Sequence, residues 1–491
     1  MTTGTTLHEL ARVLQGARLL EGVSGPEDTT VTGVSHDSRT VRPGDLFVAW
    51  SGYETDGHDY LADARRSGAV AAVVERPVPE VALPQLVVAD GRRAAALVAD
   101  HLLGRPGRKL TLVGITGTNG KTTTALLLRS LLAGRPGGAA TVGTLGLVGP
   151  DGRIRPGTGG LTTPDPVTLA TWLAALLAEG VGAVSMEASS HALAQHRLDA
   201  LRFQVAVFTN LSRDHLDYHG GMEAYRQAKL HLVELLAEGG TVVANAQDPA
   251  WAGLVDGGAL TFGMDGVGDV QAANVLATPR GTRFTLLFKG DSRAVQLPLL
   301  GRFNVENALA AAAAALALGS SLEEVAQSLS AVSQIPGRME VVVREPFTVL
   351  IDFAHTPDAL ENLLRGLSEL SPRRLVVLFG AGGDRDRGKR RPMAEAVARY
   401  ADRVFLTSDN PRSEDPEAIL DDLEEGLGGV DRVREADRRV AIRQMIAEAR
   451  DGDVMVLAGK GHETYQVLGT ERHPFDERDE VRTAMTLRGA A

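Results

Sequence analysis

The chain contains no cysteine among its 491 residues, which excludes disulfide bonds, thiolate zinc sites and cysteine nucleophiles. Aromatic residues make up only 4% of it, and no apolar run approaches the roughly 20 residues that a membrane-spanning helix needs. The first ten residues show no basic stretch followed by an apolar run, so no secretory signal is visible. A net charge of −11 argues against wrapping nucleic acid. These absences predict a soluble, cytoplasmic protein.

What is present indicates several α/β domains. At this length about three domains are expected. Short β-branched runs alternate with helical patterns, and Pro/Gly-containing breaks fall at 104–108 and 333–338. We therefore predict an α/β fold of three domains. A smaller N-terminal α/β domain covers 1–106, a central domain with a mostly parallel P-loop-type sheet covers 107–336, and a domain with a Rossmann-like sheet covers 337–491.

A glycine-rich loop follows the strand-like run Leu110–Ile115 and precedes the helical run Thr123–Leu132. Glycines let backbone N–H groups surround phosphate oxygens, and the following helix adds its positive dipole end. The loop has Ile115 where the usual motif has a glycine, so a plain strand-to-helix turn with a solvated lysine is the alternative. We predict an ATP phosphate loop made of Gly117, Thr118, Asn119, Gly120, Lys121 and Thr122, with Lys121 on the phosphates and Thr122 on Mg²⁺.

Carboxylate and imidazole side chains follow two other predicted strands. Glu187 comes directly after the run 181–186, and His215 lies in the polar segment after 203–209. Such groups at strand ends are plausible Mg²⁺ ligands, although helix caps and hydrogen-bonded histidines are the alternatives. Lys229 lies in a helical pattern over Met222–Glu238, where periodicity alone favours a surface lysine.

Longer motifs resemble those of the Mur ligases, which join amino acids to the peptidoglycan precursor. The resemblance spans nearly the full length. It rests on GTNGKT (117–122), MEASSHALAQHR (186–197), TNLSRDHLDYHG (209–220), GRFNVENALAA (301–311), PGRME (336–340), DFAHTPDAL (352–360), FGAGGDRDRGKR (379–390), TSDNPRSEDP (407–416) and AGKGHETYQ (458–466).

The resemblance implies an ATP-dependent ligase that forms an acyl phosphate on a substrate carboxylate, which the amine of an amino acid then attacks. The implied catalytic residues are Lys121, Glu187, His215 and Lys229. Glu187 and His215 match the family's metal ligands, with Thr122 also on the metal, and Lys229 matches a carbamylated lysine that organises a second Mg²⁺. Further ATP contacts implied by the resemblance are Asn304, Asn307, Arg338, Asp352 and His355. Helix capping by Asn307 and a solvated linker arginine at 338 are the alternatives.

In the first segment, Asp37-Ser38-Arg39, 44–47 and 52–57 resemble the family's UDP-binding domain. The resemblance implies contacts to a UDP-N-acetylmuramoyl-dipeptide from Ser38, Thr162, Thr163, Ser189, Gln195 and Arg197. Related enzymes can carry an asparagine where this chain has Leu161.

The last segment carries the residues that select the incoming amino acid. Arg385 stands where a dinucleotide fingerprint needs its third glycine, which makes a Rossmann cofactor a weak interpretation. Asp409 offers an anion to an amino group, and Arg412 offers a planar fork to a carboxylate. The DNPR form at 409–412 resembles the branch of the family that adds meso-diaminopimelate. The implied amino-acid site comprises Arg385, Asp409, Asn410, Pro411, Arg412, Gly459 and Glu463.

Three alternatives stay open from the sequence. The same reaction with L-lysine or L-ornithine is one, since a single arginine can be turned away from the site. Pairing of Glu463 with a neighbouring lysine is another. A P-loop ATPase acting as a regulatory module is the third. We expect a monomer that binds ATP, Mg²⁺, the UDP-linked dipeptide and a diamino acid, without nucleic acid or a membrane span.

Overall fold

The computed structural model describes residues 4–52, 55–155, 157, 160–278 and 281–489. The described chain forms two compact units, one comprising Met1–Gly263, Val267–Val270 and Leu309–Val325 and the other comprising Met264–Gly266, Gln271–Ala308 and Ala326–Ala491. None of the helices in these described ranges is long and apolar enough to cross a membrane. The domain boundaries at 106 and 336 stay predictions.

The first unit begins with a small five-stranded sheet. Strands β4 to β7 are parallel neighbours, and β2 joins β7 in antiparallel fashion, giving the order β2-β7-β6-β5-β4. The elements are β1 (Thr5–Thr6), α1 (Leu7–Gly16), β2 (Leu20–Ser24), β3 (Thr30–Val31), β4 (Gly33–Ser35), β5 (Asp45–Val48), α2 (Leu61–Ser67), β6 (Ala71–Val74), β7 (Gln85–Val88) and α3 (Gly91–Leu102).

The central sheet carries the loops that matter for function. In the first unit its strands follow the order β11-β10-β9-β12-β8-β13-β14-β15, in which β9, β12, β8, β13, β14 and β15 are parallel. The elements are β8 (Thr111–Thr116), α4 (Lys121–Leu131), β9 (Ala139–Gly143), β10 (Gly146–Val148), β11 (Ile154–Arg155), α5 (Pro166–Ala178), β12 (Ala183–Glu187), α6 (Ser190–Ala194), β13 (Phe203–Phe208), α7 (Leu216–His219), α8 (Met222–Glu234), β14 (Leu236–Asn245), α9 (Ala252–Asp256) and β15 (Leu260–Met264).

Strand β8 lies in the middle of this sheet, with β12 and β13 on its two sides. Glu187 at the end of β12 is in register with Ile115, and Phe208 at the end of β13 is in register with Thr116. The loops that follow these three strands therefore leave the same edge of the sheet. The helical pattern predicted over Met222–Glu238 ends at Glu234, because the chain from Leu236 onward pairs with β13 as strand β14.

The second unit contains an antiparallel pair, β17 with β18, and a six-stranded sheet of order β19-β20-β24-β21-β22-β23. Its strands are parallel except for β19. The remaining elements are β16 (Val270–Thr278), β17 (Gly281–Phe288), β18 (Asp291–Leu297), α10 (Arg302–Ala317), α11 (Leu322–Ser330), β19 (Glu340–Val343), β20 (Thr348–Asp352), α12 (Pro357–Ser368), β21 (Leu375–Phe379), α13 (Arg390–Ala398), β22 (Arg403–Leu406), α14 (Pro416–Glu424), β23 (Arg432–Arg434), α15 (Arg438–Ala447), β24 (Val454–Ala458), β25 (Tyr465–Leu468), β26 (Glu471–Pro474) and α16 (Glu477–Gly489).

The middle strands of this second sheet are fully buried, as the apolar runs Leu375–Phe379 and Val454–Ala458 require of strands covered by helices on both faces. Helices start where the sequence supplies a cap. Thr356 caps α12 with Pro357 in its first turn, and Asp437 caps α15. The predicted α/β fold, with a smaller N-terminal sheet, a central sheet and a mostly parallel C-terminal sheet, is confirmed.

Candidate active site

The loop between β8 and α4 has the strand-loop-helix order that the sequence predicts. Gly117 and Gly120 have φ values of 148° and 84°, a backbone region that glycine adopts without strain. A Cβ on Gly117 would lie 1.9 Å from the hydroxyl oxygen of Thr209. The loop is therefore packed closely against the chain that follows β13, and only glycine fits at its first position.

The segment after β13 braces the loop with hydrogen bonds. The backbone N–H of Thr118 donates to the carbonyl oxygen of Asn210 at 2.8 Å, and the N–H of Asn119 donates to the Asn210 side-chain oxygen at 2.9 Å. The hydroxyl of Thr209 donates to the carbonyl oxygen of Asn119 at 2.7 Å. These bonds fix the backbone of the loop before any ligand arrives.

Glu187 is buried beside the start of α4. Its carboxylate accepts a hydrogen bond from the Thr122 hydroxyl at 3.0 Å. It also accepts bonds from the backbone N–H of Thr144 at 2.8 Å and from the Thr144 hydroxyl at 3.1 Å. The structure thus brings together two of the four predicted metal ligands, Thr122 and Glu187. Thr144, which follows β9, has no motif of its own and was missed by the sequence reasoning.

Lys229 is buried, contrary to what its helical periodicity favours. Its side chain is 1% exposed, its ammonium donates to the carbonyl oxygen of Gly117 at 2.7 Å, and it lies 4.3 Å from the centre of the Tyr225 ring. Burial, and then the charge of Lys121, lower the pKa of Lys229 well below its ordinary value. Lys121 itself donates to the carbonyl oxygens of Gly117 and Thr118.

His215 lies in a cluster of aromatic rings just after the bracing segment. Its ring is 4.6 Å from that of His191 and its Nε2 is 3.3 Å from Asp214. Burial, and the charges of Lys121 and Lys229, lower the pKa of His215 despite the opposing effect of Asp214. A neutral imidazole is the form that ligates a metal ion. The pKa of His191 is lowered to about 4, chiefly by burial and then by His215.

Four of the predicted substrate residues form one hydrogen-bonded network. The Thr163 hydroxyl donates to the Ser189 hydroxyl at 3.1 Å, and Arg197 donates to the Thr163 carbonyl oxygen at 2.8 Å and to the Gln195 side chain at 3.0 Å. Gln195 in turn donates to the Tyr218 hydroxyl at 3.1 Å. The structure thus joins residues that are up to 34 positions apart.

Two other predicted substrate residues lie outside this network. Thr162 is half-buried beside Thr163, and Ser38 is half-buried in the turn after β4. Within the described ranges no hydrogen bond links Ser38 to the four. Tyr53 and Glu54 of the motif at 52–57 fall outside the described residues.

Asp199, which the sequence reasoning missed, forms a second group of contacts two residues after Arg197. It is buried and contacts the Nδ1 of His196 at 3.0 Å, the Nε2 of His231 at 2.9 Å and the Nε of Arg93 at 3.0 Å. His196 lies between Gln195 and Arg197 and has a φ of 57°. The Asp199 carboxylate therefore contacts one side chain from α3, one from α8 and one from the segment that carries Gln195 and Arg197.

In the second unit, predicted nucleotide residues meet at the end of β20. The N–H of Met339 donates to Asp352 at 2.7 Å, and the Asn304 side chain lies 3.9 Å from the Met339 sulfur. Asn307 donates to Asn304 at 3.2 Å. Burial raises the pKa of Asp352, and Arg338 opposes it. The structure therefore groups these residues.

Arg338 and His355 flank the same strand end. The guanidinium of Arg338 lies 4.9 Å from the centre of the Phe353 ring. Nδ1 of His355 lies 2.7 Å from the Phe353 carbonyl oxygen, and burial lowers the pKa of His355. Both side chains therefore border the group around Asp352.

The predicted amino-acid residues gather at the ends of β22 and β24. Asn410 donates to Glu463 at 2.9 Å, and the buried ammonium of Lys460 donates to both at 3.1 Å. Lys460 also lies 4.0 Å from Asp409. Gly459 has a φ of 115°, and a Cβ there would lie 2.5 Å from Asp409. The alternative that Glu463 pairs with a neighbouring lysine is confirmed. That lysine is Lys460, which the sequence reasoning missed.

The two predicted arginines lie at the rim of this group. Arg412 follows the buried Pro411, has a φ of 53° and donates to the carbonyl oxygen of Gly383 at 2.7 Å. A Cβ on Gly382 would lie 3.0 Å from Arg412 and 3.7 Å from Arg385. Arg385 is exposed. Both guanidinium-bearing residues therefore border one glycine turn after β21.

Comparison with known proteins gives matches along most of the chain. The family model "Mur ligase family, catalytic domain" matches residues 30–101, "Mur ligase middle domain" matches 115–315, and "Mur ligase, glutamate ligase domain" matches 337–461. Together they match parts of the N-terminal, central and C-terminal sheets.

Curated relatives and solved structures are similar over nearly the whole length. The chain is 44% identical to the UDP-N-acetylmuramoyl-L-alanyl-D-glutamate–2,6-diaminopimelate ligase of Geobacillus thermodenitrificans, over 93% of this chain and 95% of that one. Identity to the ligase of the same name from Solibacter usitatus is 43%, over 97% and 98%. A solved structure of a ligase of this name has 33% identity and a TM-score of 0.70, covering 99% and 100%. MurF ligase from Thermotoga maritima, solved with ADP, has 20% identity and a TM-score of 0.66, covering 93% and 98%, and shares the fold.

Proposed function

The chain belongs to the Mur ligase family, and from this premise we propose that it is an ATP-dependent ligase of peptidoglycan precursor synthesis. It adds meso-diaminopimelate to the D-glutamate of UDP-N-acetylmuramoyl-L-alanyl-D-glutamate. The observation that carries this proposal is the near-full-length similarity to diaminopimelate ligases, in a chain whose phosphate loop, Glu187 and Lys229 lie together.

The reaction consists of two transfers. The terminal phosphoryl group of ATP passes to the D-glutamate carboxylate, giving an acyl phosphate, and ADP leaves. The amine of the diamino acid then attacks the acyl carbon, and the tetrahedral intermediate expels inorganic phosphate as the amide forms. Such chemistry depends mainly on positioning and charge stabilisation.

Residues of the chain supply both the positioning and the charge stabilisation. The backbone N–H groups at the N-terminus of α4 receive the phosphates. The N–H groups of Thr118 and Asn119 stay bonded to Asn210 and hold the shape of the loop. The ammonium of Lys121 turns from its two loop carbonyls to the phosphate oxygens. The hydrogen-bonded segment 209–212 keeps the loop in shape while the ligand charge changes.

We propose that Mg²⁺ is held by Thr122, Glu187, His215 and the carbamate of Lys229. The observed contact between the Thr122 hydroxyl and the buried Glu187 carboxylate fits a hard cation that prefers oxygen ligands. The lowered pKa of Lys229 fits a side chain that reacts with CO₂ in its neutral form. When bound, the metal would neutralise charge on the transferred phosphoryl group.

We assign the substrates to the three groups of residues described above. Ser38, Thr162, Thr163, Ser189, Gln195 and Arg197 bind the UDP-linked dipeptide, and Asn304, Asn307, Arg338, Asp352 and His355 surround the nucleotide. Arg385, Asp409, Asn410, Pro411, Arg412, Gly459 and Glu463 bind the amino acid. The domains span 1–106, 107–336 and 337–491, and the enzyme works in the cytoplasm as a monomer.

Phosphate release tests the proposal with each component supplied or omitted. We expect turnover only when ATP, Mg²⁺, the UDP-linked dipeptide and meso-diaminopimelate are all present. Preference for L-lysine or L-ornithine would overturn the choice of amino acid but keep the ligase. ATP hydrolysis at full rate without the UDP-linked dipeptide would instead identify a regulatory ATPase.

A further inference from the structure

Two charged side chains form a fully buried ion pair behind the proposed amino-acid site. Arg438, the first residue of α15, and Glu477, the first residue of α16, are each 0% exposed in their side chains. Arg438 donates from Nε and Nη2 to one oxygen of Glu477, at 2.8 and 2.7 Å. Neither residue belongs to a motif that the sequence analysis used.

The same guanidinium also holds two strand ends. Its Nη1 donates to the carbonyl oxygen of Ser408 at 3.3 Å, and its Nη2 donates to the carbonyl oxygen of Ala458 at 2.9 Å. Ser408 immediately precedes Asp409, and Ala458 immediately precedes Gly459. Arg438 thereby ties together the two loops in which Asp409 and Gly459 face each other at a spacing that admits no Cβ.

The pair is part of a larger set of buried charges. Lys460 is 0% exposed and lies between Asp409 and Glu463. Two cations, Arg438 and Lys460, therefore accompany three carboxylates. Burial raises the pKa of Glu477, although Arg438 opposes the effect. One oxygen of Glu477 has no hydrogen-bond partner among the described residues.

The stability of the fold gives only a weak reason to bury Arg438 and Glu477 as an ion pair. Removing two charges from water costs several kcal/mol, roughly what their attraction returns, so a buried ion pair often stabilises no more than apolar residues would. The second unit has another buried carboxylate paired with an arginine, Asp453 with Arg374, at the opposite ends of the strands. That pair touches none of the proposed substrate residues and serves as a matched control.

We propose that Arg438 and Glu477 are positioning residues for the amino-acid substrate. Through the carbonyl oxygens of Ser408 and Ala458 they hold Asp409 and Gly459 where an ammonium group of the diamino acid can bind. This inference rests on the proposed function, because it takes Asp409 and Gly459 as substrate contacts. Arg438 and Glu477 themselves do not touch the substrate.

The test compares Arg438→Lys and Glu477→Gln with Arg374→Lys in the full-length enzyme. Arg438→Lys keeps the positive charge but loses the planar guanidinium, and Glu477→Gln keeps the size and polarity but loses the negative charge. We expect KM for the diamino acid to rise by about 10-fold or more, with KM for ATP and for the UDP-linked dipeptide within about twofold of wild type. Arg374→Lys should leave all three KM values within about twofold.

Two results would overturn the positioning role of Arg438 and Glu477. One is an unchanged KM for the diamino acid, and the other is an equal change in all three KM values. Glu477→Asp, which keeps the charge but shortens the reach, replaces any variant that circular dichroism shows to be unfolded, and it should give the same selective rise. If wild type rejects meso-diaminopimelate, the proposed function fails on its own. The variants are then measured with the diamino acid that it accepts.

Discussion

Lys121 and Lys229 place their side-chain nitrogens on the same acceptor, the carbonyl oxygen of Gly117, at 3.0 and 2.7 Å. Two ammonium groups on one oxygen repel each other, and burial adds to the cost of the charge on Lys229. Both effects favour a neutral Lys229, as the direction of its pKa shift indicates. A carbamate on Lys229 would turn the repulsion from Lys121 into attraction.

Replacement of Lys229 by alanine should abolish most of the activity. We expect kcat to fall by about 100-fold or more, because the replacement removes the anionic group that organises the metal ion. Added formate or acetate should restore part of the rate by entering the space that the side chain vacates. Phosphate release, measured with and without the added carboxylate, checks this prediction.

The matched control for this experiment is Lys109→Ala, since Lys109 is an exposed lysine in the same unit. Its activity should stay at the wild-type level and should not respond to the carboxylate. Wild-type kcat in Lys229→Ala without any addition would contradict the carbamate proposal. Mass spectrometry of the native protein at high CO₂ should find one added CO₂ in wild type and none in the variant.

Replacement of Gly117 by alanine should destroy nucleotide binding. The new Cβ would lie 1.9 Å from the Thr209 hydroxyl, in a backbone conformation that alanine rarely adopts. We expect ADP affinity to fall by about 100-fold and stability to fall by about 2 kcal/mol. Titration calorimetry with ADP and urea unfolding measure the two effects.

Gly134→Ala provides the comparison, because a Cβ there would meet no atom within 4 Å. It should change stability by less than about 0.5 kcal/mol and leave ADP binding unaltered. Tight ADP binding by Gly117→Ala would show that the loop can open away from Thr209, and that its observed shape is not what binds phosphate.

Local patterns in the sequence predict the strands and the phosphate loop well, because each feature is encoded within about ten residues. Buried β-branched runs mark β8, β12 and β13, and glycines mark the loop. The positions of Glu187 and Asp409 follow from the same rule, since parallel strands end at one edge of a sheet.

Local sequence patterns do not predict which isolated charged side chains are buried. Lys229 lies on a helix whose periodicity favours an exposed lysine, and it is buried because α8 packs next to β8 and Tyr225 covers it. Arg438 and Glu477 are 39 positions apart and meet only in the folded chain, where α15 packs against α16. For Lys229 the family resemblance supplied the missing information. For Arg438 no motif pointed to the pair.

Replacement of Asp199 by asparagine should weaken the first unit. Burial opposes ionisation of Asp199, but hydrogen bonds from His196 and His231 outweigh it and lower its pKa. A carboxyl whose folded pKa is lowered contributes stability above its unfolded pKa of about 3.9 and loses it as the pH falls further. We therefore expect Asp199→Asn to cost about 2–3 kcal/mol at pH 7 and clearly less at pH 3.

Urea unfolding at several pH values measures this difference. Asp151→Asn is a suitable control, because Asp151 is an exposed carboxylate that pairs with its near neighbour Arg153. That variant should lose less than about 0.5 kcal/mol at any pH. A cost for Asp199→Asn that is equally large at pH 7 and pH 3 would show that the lost interaction does not depend on the charge of Asp199.

Replacement of Arg412 by glutamine should separate the diamino acids. The guanidinium, held by the Gly383 carbonyl oxygen, can meet the distal carboxylate of meso-diaminopimelate, a group that lysine lacks. We expect kcat/KM for meso-diaminopimelate to fall by about 100-fold, the loss of a charge-assisted pair worth about 2–3 kcal/mol. The value for lysine should rise or stay unchanged, because a repelling cation has been removed. Arg399→Gln is the control, because Arg399 is an exposed arginine at the end of α13 that pairs with Glu361. It should change kcat/KM for neither diamino acid. Equal losses for both diamino acids would place Arg412 outside the selection of the substrate.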